Sequence, residues 1–144
     1  MHRWLGLLAL APLASFAAVI AVNEPWVRPA SAGESTDVFM ELAVSETATL
    51  IDVRTPVAPR VMLAQGAQRR APPFALQLAA QQPLLMRERA TRIVLGSVQR
   101  TLKRGDRVAL TLVLRYADGT TQDVEVDAEV RRRSPSQDHR VHRH

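Results

Sequence analysis

The stretch that decides the fold runs from Arg92 to Val130, RIVLGSVQRTLKRGDRVALTLVLRYADGTTQDVEVDAEV. Leucine or valine occupies every second position from Val108 to Leu114, and from Val124 to Val130 valine and alanine alternate with Asp and Glu. A period of two places the apolar residues on one face of a strand. Asp118-Gly119, between the two runs, supplies residues that tolerate the positive φ of a tight turn. The stretch therefore predicts a β-hairpin with one buried face.

The rest of the chain also shows short apolar runs separated by turn residues. Ala18–Val22 is predicted to be a first strand, and the prolines on both sides of Trp26-Val-Arg28 indicate that it is an edge strand or changes direction. Residues 65–73 hold one glycine and two prolines and are predicted to be a loop. Further strands are predicted at Val38–Val44, Thr49–Arg54, Val61–Ala64, Phe74–Leu78, Leu84–Met86 and Arg92–Leu95. The pattern predicts an all-β fold, a cupredoxin-like or immunoglobulin-like β-sandwich of about 7–9 strands.

The N-terminus has the pattern of a secretory signal. A basic start is followed by an apolar run from Trp4 to Phe16 and by small residues, so we expect residues 1–17 to be a signal peptide cleaved after Ala17. The alternative is an uncleaved membrane anchor, which Pro12 and the small residues disfavour. Export to the periplasm is the predicted location, and residues 18–130 are predicted to form the mature domain.

Charge and cysteine content narrow the classes of function. The chain has no cysteine, so it can form neither a disulfide nor a thiolate site. Residues 18–130 contain 13 Lys and Arg and 13 Asp and Glu, and the basic excess lies in residues 131–144. This Arg- and His-rich tail has too few apolar residues to fold by itself, and we expect it to be disordered in isolation. It would suit an anionic membrane or an acidic partner, whereas export argues against nucleic acid.

Several segments in order resemble the periplasmic copper chaperone family called PCu(A)C. They are Glu24-Pro-Trp-Val-Arg28, Val38-Phe-Met-Glu-Leu42, Leu50–Ala58 and Leu102–Leu112, and the likeness extends from about Val19 to Val130. The resemblance implies a cupredoxin-like sandwich in an oxidising compartment that delivers Cu(I) to other proteins. A copper-accepting periplasmic or membrane-bound protein would then be its partner.

The resemblance also implies where copper ligands should lie. Members of the family use a His, a Met about eleven residues later, and a His-x-Met. These positions fall here on Ala64, on Phe74 or Ala75, and on Arg92-Ile-Val94. None of these side chains can donate electrons to copper, and the guanidinium of arginine is a permanent cation with donors only.

Substitute ligands are few. Met62 and Met86 carry thioethers, which suit Cu(I), although core packing explains such methionines as well. His139, His142 and His144 in the tail are spaced so that two or three imidazoles can reach one metal ion.

No pattern in residues 18–130 indicates catalysis. This range contains neither histidine nor cysteine, and the carboxylates from Asp123 to Glu129 alternate on the face opposite the valines, as on a solvated strand. The sequence thus favours a non-catalytic protein of periplasmic copper handling or delivery, with copper as the conceivable cofactor. The alternative is a metal-free scaffold or partner-binding domain of the same fold that uses the basic tail.

Overall fold

The computed structural model describes residues 18–135, which fold into one sheet of ten β-strands that curls upon itself. The predicted signal and the end of the tail lie outside this range and stay predictions. No helix within the described range is long and apolar enough to cross a membrane. The strands are β1 (Ile20–Val27), β2 (Thr36–Val44), β3 (Ala48–Arg54), β4 (Arg60–Gln65), β5 (Gln68–Arg70), β6 (Leu76–Leu78), β7 (Leu84–Leu85), β8 (Thr91–Gly96), β9 (Arg107–Tyr116) and β10 (Thr121–Val130).

The sheet consists of two antiparallel halves joined by one short parallel pairing. One half has the order β5-β4-β8-β2-β1, with β7 also beside β2, and the other has the order β10-β9-β3-β6. The halves meet where Trp26 and Val27 of β1 pair with Glu129 and Val130 of β10. Since β1 and β10 run in the same direction, Ile20 and Val130 lie at opposite ends of the sheet.

The predicted hairpin is confirmed in β9 and β10. The two strands pair continuously from Arg107 opposite Glu129 to Arg115 opposite Thr121. In the turn Gly119 has φ 86°, and the Asp118 carboxylate accepts a 2.9 Å hydrogen bond from the Thr120 amide. The Asp-Gly pair therefore provides the backbone conformation that brings β10 back along β9.

Both halves bury their apolar faces in one core, which confirms the predicted sandwich. The core-facing residues of β9, Val108, Leu110, Leu112 and Leu114, are each at most 1% exposed. They belong to the same apolar cluster as Val38, Met40 and Leu42 of β2, Leu50 and Val53 of β3, and Ile93 and Leu95 of β8. Neither half could cover its apolar face without the other.

Two details refine or correct the sequence-based expectations. Of the two alternatives for β1, the edge strand is wrong because β1 lies between β2 and β10, whereas a change of direction agrees with the bulge at Pro25, where Glu24 has φ 50° and the register with β2 shifts. Residues 65–73 are not a loop throughout, because Gly66 turns the chain and Gln68–Arg70 pairs with β4 as a short strand. An exposed three-residue strand has no apolar alternation that a sequence pattern could reveal.

The shared core makes a direct prediction about stability. Leu112→Ala should lower the free energy of unfolding by about 2–5 kcal/mol, because Leu112 is fully buried between the halves and its truncation leaves a cavity. Val113→Ala, one residue along on the half-buried outer face, should cost about 1 kcal/mol or less. Urea unfolding of the two variants measures the difference. Equal costs would contradict the assignment of the two faces.

Candidate metal site

The positions that the resemblance assigns to two copper-binding histidines lie side by side in the structure. Strands β4 and β8 are antiparallel neighbours, and their register places Ala64 directly opposite Arg92 and Met62 directly opposite Val94. Directly opposed residues point to the same face of a sheet. The four residues therefore share one surface, which is the side away from Leu63 and Ile93 of the common core.

Arg92 occupies this surface with a fixed cation. Its side chain is only 13% exposed, and its Nε lies 3.6 Å from Oδ1 of Asp37 on the neighbouring strand β2. Its Nη1 donates to the carbonyl oxygens of Gly66 at 3.3 Å and Ala90 at 3.2 Å. The guanidinium thus ties the turn after β4 and the turn before β8 to β2. A permanent positive charge held in this way opposes binding of a metal cation.

The remaining family positions do not supply ligands either. Ala64 is fully buried and ends in a methyl group. Phe74 lies in the core at 3% exposure, and its amide donates to the carbonyl of Ile51. Within residues 18–135, no three His, Cys, Asp or Glu side chains come together as metal ligands. The residues that are present therefore do not fit Cu(I) at the position expected from the resemblance.

The two methionines proposed as substitutes line different cavities. Met62 is half-buried and lines a cavity of about 540 Å³ between the ends of β3 and β4, next to Arg54 and Arg60. Met86 is 3% exposed, and its amide donates to the carbonyl of Met40 on β2. Neither cavity brings the two thioethers together, and His139, His142 and His144 lie outside the described residues. For these five residues, a role as metal ligands remains a prediction.

A second cavity, of about 510 Å³, holds an aromatic and charged cluster that the sequence pattern did not indicate. The rings of Trp26 and Phe39 stack with their centroids 4.7 Å apart, and the guanidinium of Arg28 lies over both rings. Arg28 also forms a 2.9 Å salt bridge to Glu88. The signal that could have revealed the cluster is Phe39, because this aromatic residue alternates with the core-facing Val38 and Met40 and so lies on the outer face of β2.

The alternating carboxylates of β10 form a solvated, paired strand face. Each of these four carboxylates contacts a cation or a hydroxyl of another residue, so the row is not an isolated acid and base. The contacts are Asp123 to Arg54 at 2.9 Å, Glu125 to Thr111 at 3.2 Å, Asp127 to Arg107 at 3.0 Å, and Glu129 to Arg131 at 3.4 Å.

Two titratable groups with shifted pKa values belong to the tip of the hairpin. Hydrogen bonds donated by the hydroxyl and the amide of Thr120 lower the pKa of the Asp118 carboxyl. Burial, together with the negative charge of Glu46, raises the pKa of the Tyr116 phenol, which also bonds to Gln122. The hydrogen bonds of the turn and the packing at its base account for both shifts, so neither marks a cavity suited to proton transfer.

Comparisons with known proteins agree with this architecture. The family profile described as "Putative lipoprotein LpqE-like" matches residues 20–128. The apo PCuAC domain from PmoF1 superimposes with a TM-score of 0.64 at 17% identity, covering 78% of this chain and 92% of that domain. The copper-bound PCuAC domain from PmoF2 gives 0.63 at 22% identity, covering 80% and 95%.

A third structure extends the likeness. The solution structure of CuI-DR1885 from Deinococcus radiodurans gives a TM-score of 0.60 at 25% identity and 85% coverage of both chains. No protein of curated function matches the chain. The structural matches show that the chain has the fold of PCuAC copper chaperone domains, as the sequence resemblance indicated.

The bonds of Arg92 predict a stabilising role that does not need metal. Arg92→Met should lower the free energy of unfolding by about 1–3 kcal/mol, because two carbonyl oxygens lose their donor and Asp37 loses its ion-pair partner. Arg69→Met on exposed β5 is the matched control and should stay within about 0.5 kcal/mol of the wild type. Urea unfolding measures both. A loss for Arg92→Met no larger than that of the control would refute the role.

Proposed function

The chain belongs to the LpqE-like family, and we propose that it is an exported, non-catalytic protein of periplasmic copper handling that makes no use of the core copper position of its fold. One observation carries the second half of this proposal. The fold brings positions 64 and 92 together as it should, yet they hold a methyl group and a guanidinium that is already bonded to Asp37. The scaffold of a copper chaperone is present without its donors.

Export is supported from two directions. The family is described as a lipoprotein family, and residues 1–17 have the sequence pattern of a secretory signal. The 144 residues contain no cysteine, so none of them can carry a thioether-linked lipid. Contact with a membrane would then depend on residues 1–17 if they are retained, or on basic side chains.

Metal binding, on this proposal, is assigned to the tail. His139, His142 and His144 can bring two or three imidazoles to one ion, and Cu(II) and Zn(II) both accept imidazole. Met62 and Met86 contribute two thioethers at separate cavities, too few for a Cu(I) site of the family type. A copper-accepting periplasmic or membrane-bound protein is the corresponding partner.

The absence of catalysis rests on residue chemistry. Residues 18–130 contain no histidine and no cysteine, and the carboxylates of β10 are exposed and paired. Two proteins of similar structure are described as PCuAC domains, one of them copper-bound.

The second candidate is a metal-free domain that binds an anionic membrane or an acidic partner. It is favoured by Arg92, which places a positive charge at a ligand position implied by the resemblance and bonds there to protein groups. On this candidate the basic residues after Val130 form the binding surface.

A chelator competition separates the two candidates. The full chain should take Cu(II) from a chromogenic chelator of micromolar affinity, and the triple variant H139A/H142A/H144A should lose at least about tenfold in affinity, since imidazole is the donor. The matched control is R140A/R143A, which removes charge from the same segment and keeps all three imidazoles. If the full chain does not compete at all, the copper proposal fails and the metal-free candidate stands.

A gain-of-function experiment tests the assignment of the core position. A64H/R92H/V94M places two imidazoles and a thioether on the face that Met62 shares, and it should bind Cu(I) in competition with a Cu(I) chelator. To exclude the tail, the substitutions are made in the H139A/H142A/H144A background, and A64H alone is the control because it keeps Arg92. If the triple core substitution folds yet binds no more Cu(I) than the control, the alignment with the family site is wrong.

A further inference from the structure

We propose that a cleft at the C-terminal end of β10 binds a phosphate-bearing anion. The cleft has a volume of about 370 Å³, and it is lined by Arg104, Glu129, Arg131, Arg132 and Arg133. This inference deepens the metal-free candidate by naming the site and the chemistry of its ligand. It requires no copper.

Backbone hydrogen bonds hold the two sides of the cleft in place. The Gly105 amide donates to the Val130 carbonyl at 2.9 Å, and the Val130 amide donates to the Asp106 carbonyl at 2.8 Å. The Arg131 amide then donates to the Val27 carbonyl of β1 at 2.8 Å. The turn that carries Arg104 is therefore bonded directly to the segment that carries Arg131. The proximity of their side chains therefore follows from these backbone hydrogen bonds.

The cleft has a large excess of positive charge. Four guanidiniums line it with a single carboxylate, Glu129, which lies 3.4 Å from Arg131 and 3.8 Å from Arg107. Among residues 18–135, no salt bridge joins Arg104, Arg132 or Arg133 to a carboxylate. Three of these arginines open the basic segment 131–144, and Arg104 adds a fourth cation from the formally neutral residues 18–130.

The arrangement of donors selects the type of anion. Each guanidinium presents a planar fork of N–H donors that matches a pair of phosphate oxygens. Arginines from two separate segments approach the cleft from different sides, which suits a tetrahedral anion with several oxygens better than a flat carboxylate. The predicted ligand is a phosphate group.

Two sources of phosphate are compatible with the position of the cleft. A lipid headgroup is one, because clustered arginines bind anionic membrane surfaces. However, the parallel β1 and β10 place the cleft at the opposite end of the sheet from Ile20, so a chain tethered through its N-terminus would hold the cleft away from that membrane. A soluble phosphate compound is the other source.

The experiment compares two triple variants of the full chain that change net charge equally. R104Q/R132Q/R133Q removes three arginines from the cleft, and the control R69Q/R70Q/R115Q removes three exposed arginines elsewhere. Binding to phosphatidylglycerol vesicles is measured by sedimentation, and binding of inorganic pyrophosphate by calorimetry, both with a metal chelator present. Whichever of the two probes the wild type binds, the cleft variant should bind it about a hundredfold more weakly, and the affinity of the control should stay within about threefold of the wild type.

Each outcome has a defined meaning. Binding of pyrophosphate that the cleft variant loses identifies soluble phosphate as the ligand, and vesicle binding without pyrophosphate binding identifies lipid. Equal losses in the two variants, or no binding of either probe by the wild type, would overturn the proposal. Circular dichroism verifies that both variants are folded. Because the chelator removes metal, failure here leaves the copper competition unaffected.

Discussion

The short parallel contact between β1 and β10 is the constraint on which the rest of the structure depends. Each half of the sheet has one apolar face, and neither can be stable in water until the other covers it. With no disulfide to join them, the halves pair as neighbouring strands through Trp26 and Val27 beside Glu129 and Val130, and a single parallel bridge between Val44 and Ala80 adds a second backbone link. This contact sets how the inner faces meet, and it continues in the bond from Arg131 to Val27 that positions the basic cleft.

This protein keeps the fold of the PCuAC domains without the side chains that could bind copper at positions 64 and 92. The ladder between β4 and β8 retains the opposed positions 64 and 92, which are determined by strand register and by burial on the core side. The side chains at these positions lie on the face opposite Leu63 and Ile93, where Ala64 is fully buried and Arg92 is 13% exposed. Arg92 illustrates the result, since its guanidinium pairs with Asp37 and donates to two carbonyl oxygens at a position where the resemblance implies a copper ligand. Fold likeness alone therefore does not transfer the activity.

Features that depend on residues close together in the sequence could be predicted, and features that depend on residues far apart in the sequence could not. The hairpin and most strands were predictable because period-two alternation is local. The opposed positions 64 and 92 could be anticipated only through the family resemblance. The bonds of Arg92 to the Gly66 and Ala90 carbonyls depend on two turns meeting in space, and the cleft depends on the turn at Arg104 pairing with the end of β10. No sequence pattern records either approach.

The absence of cysteine gives the fold a further property, indifference to the redox state of its surroundings. Because the 144 residues contain no cysteine, they require neither a thiol oxidase nor a disulfide isomerase, and the redox state of the compartment does not alter their covalent cross-linking. Sulfur chemistry is then confined to methionine. Met40 and Met86 are 2% and 3% exposed and shielded from peroxide, whereas half-buried Met62 borders an open cavity. Within the described chain, Met62 is the thioether best placed to form a sulfoxide while the core stays intact.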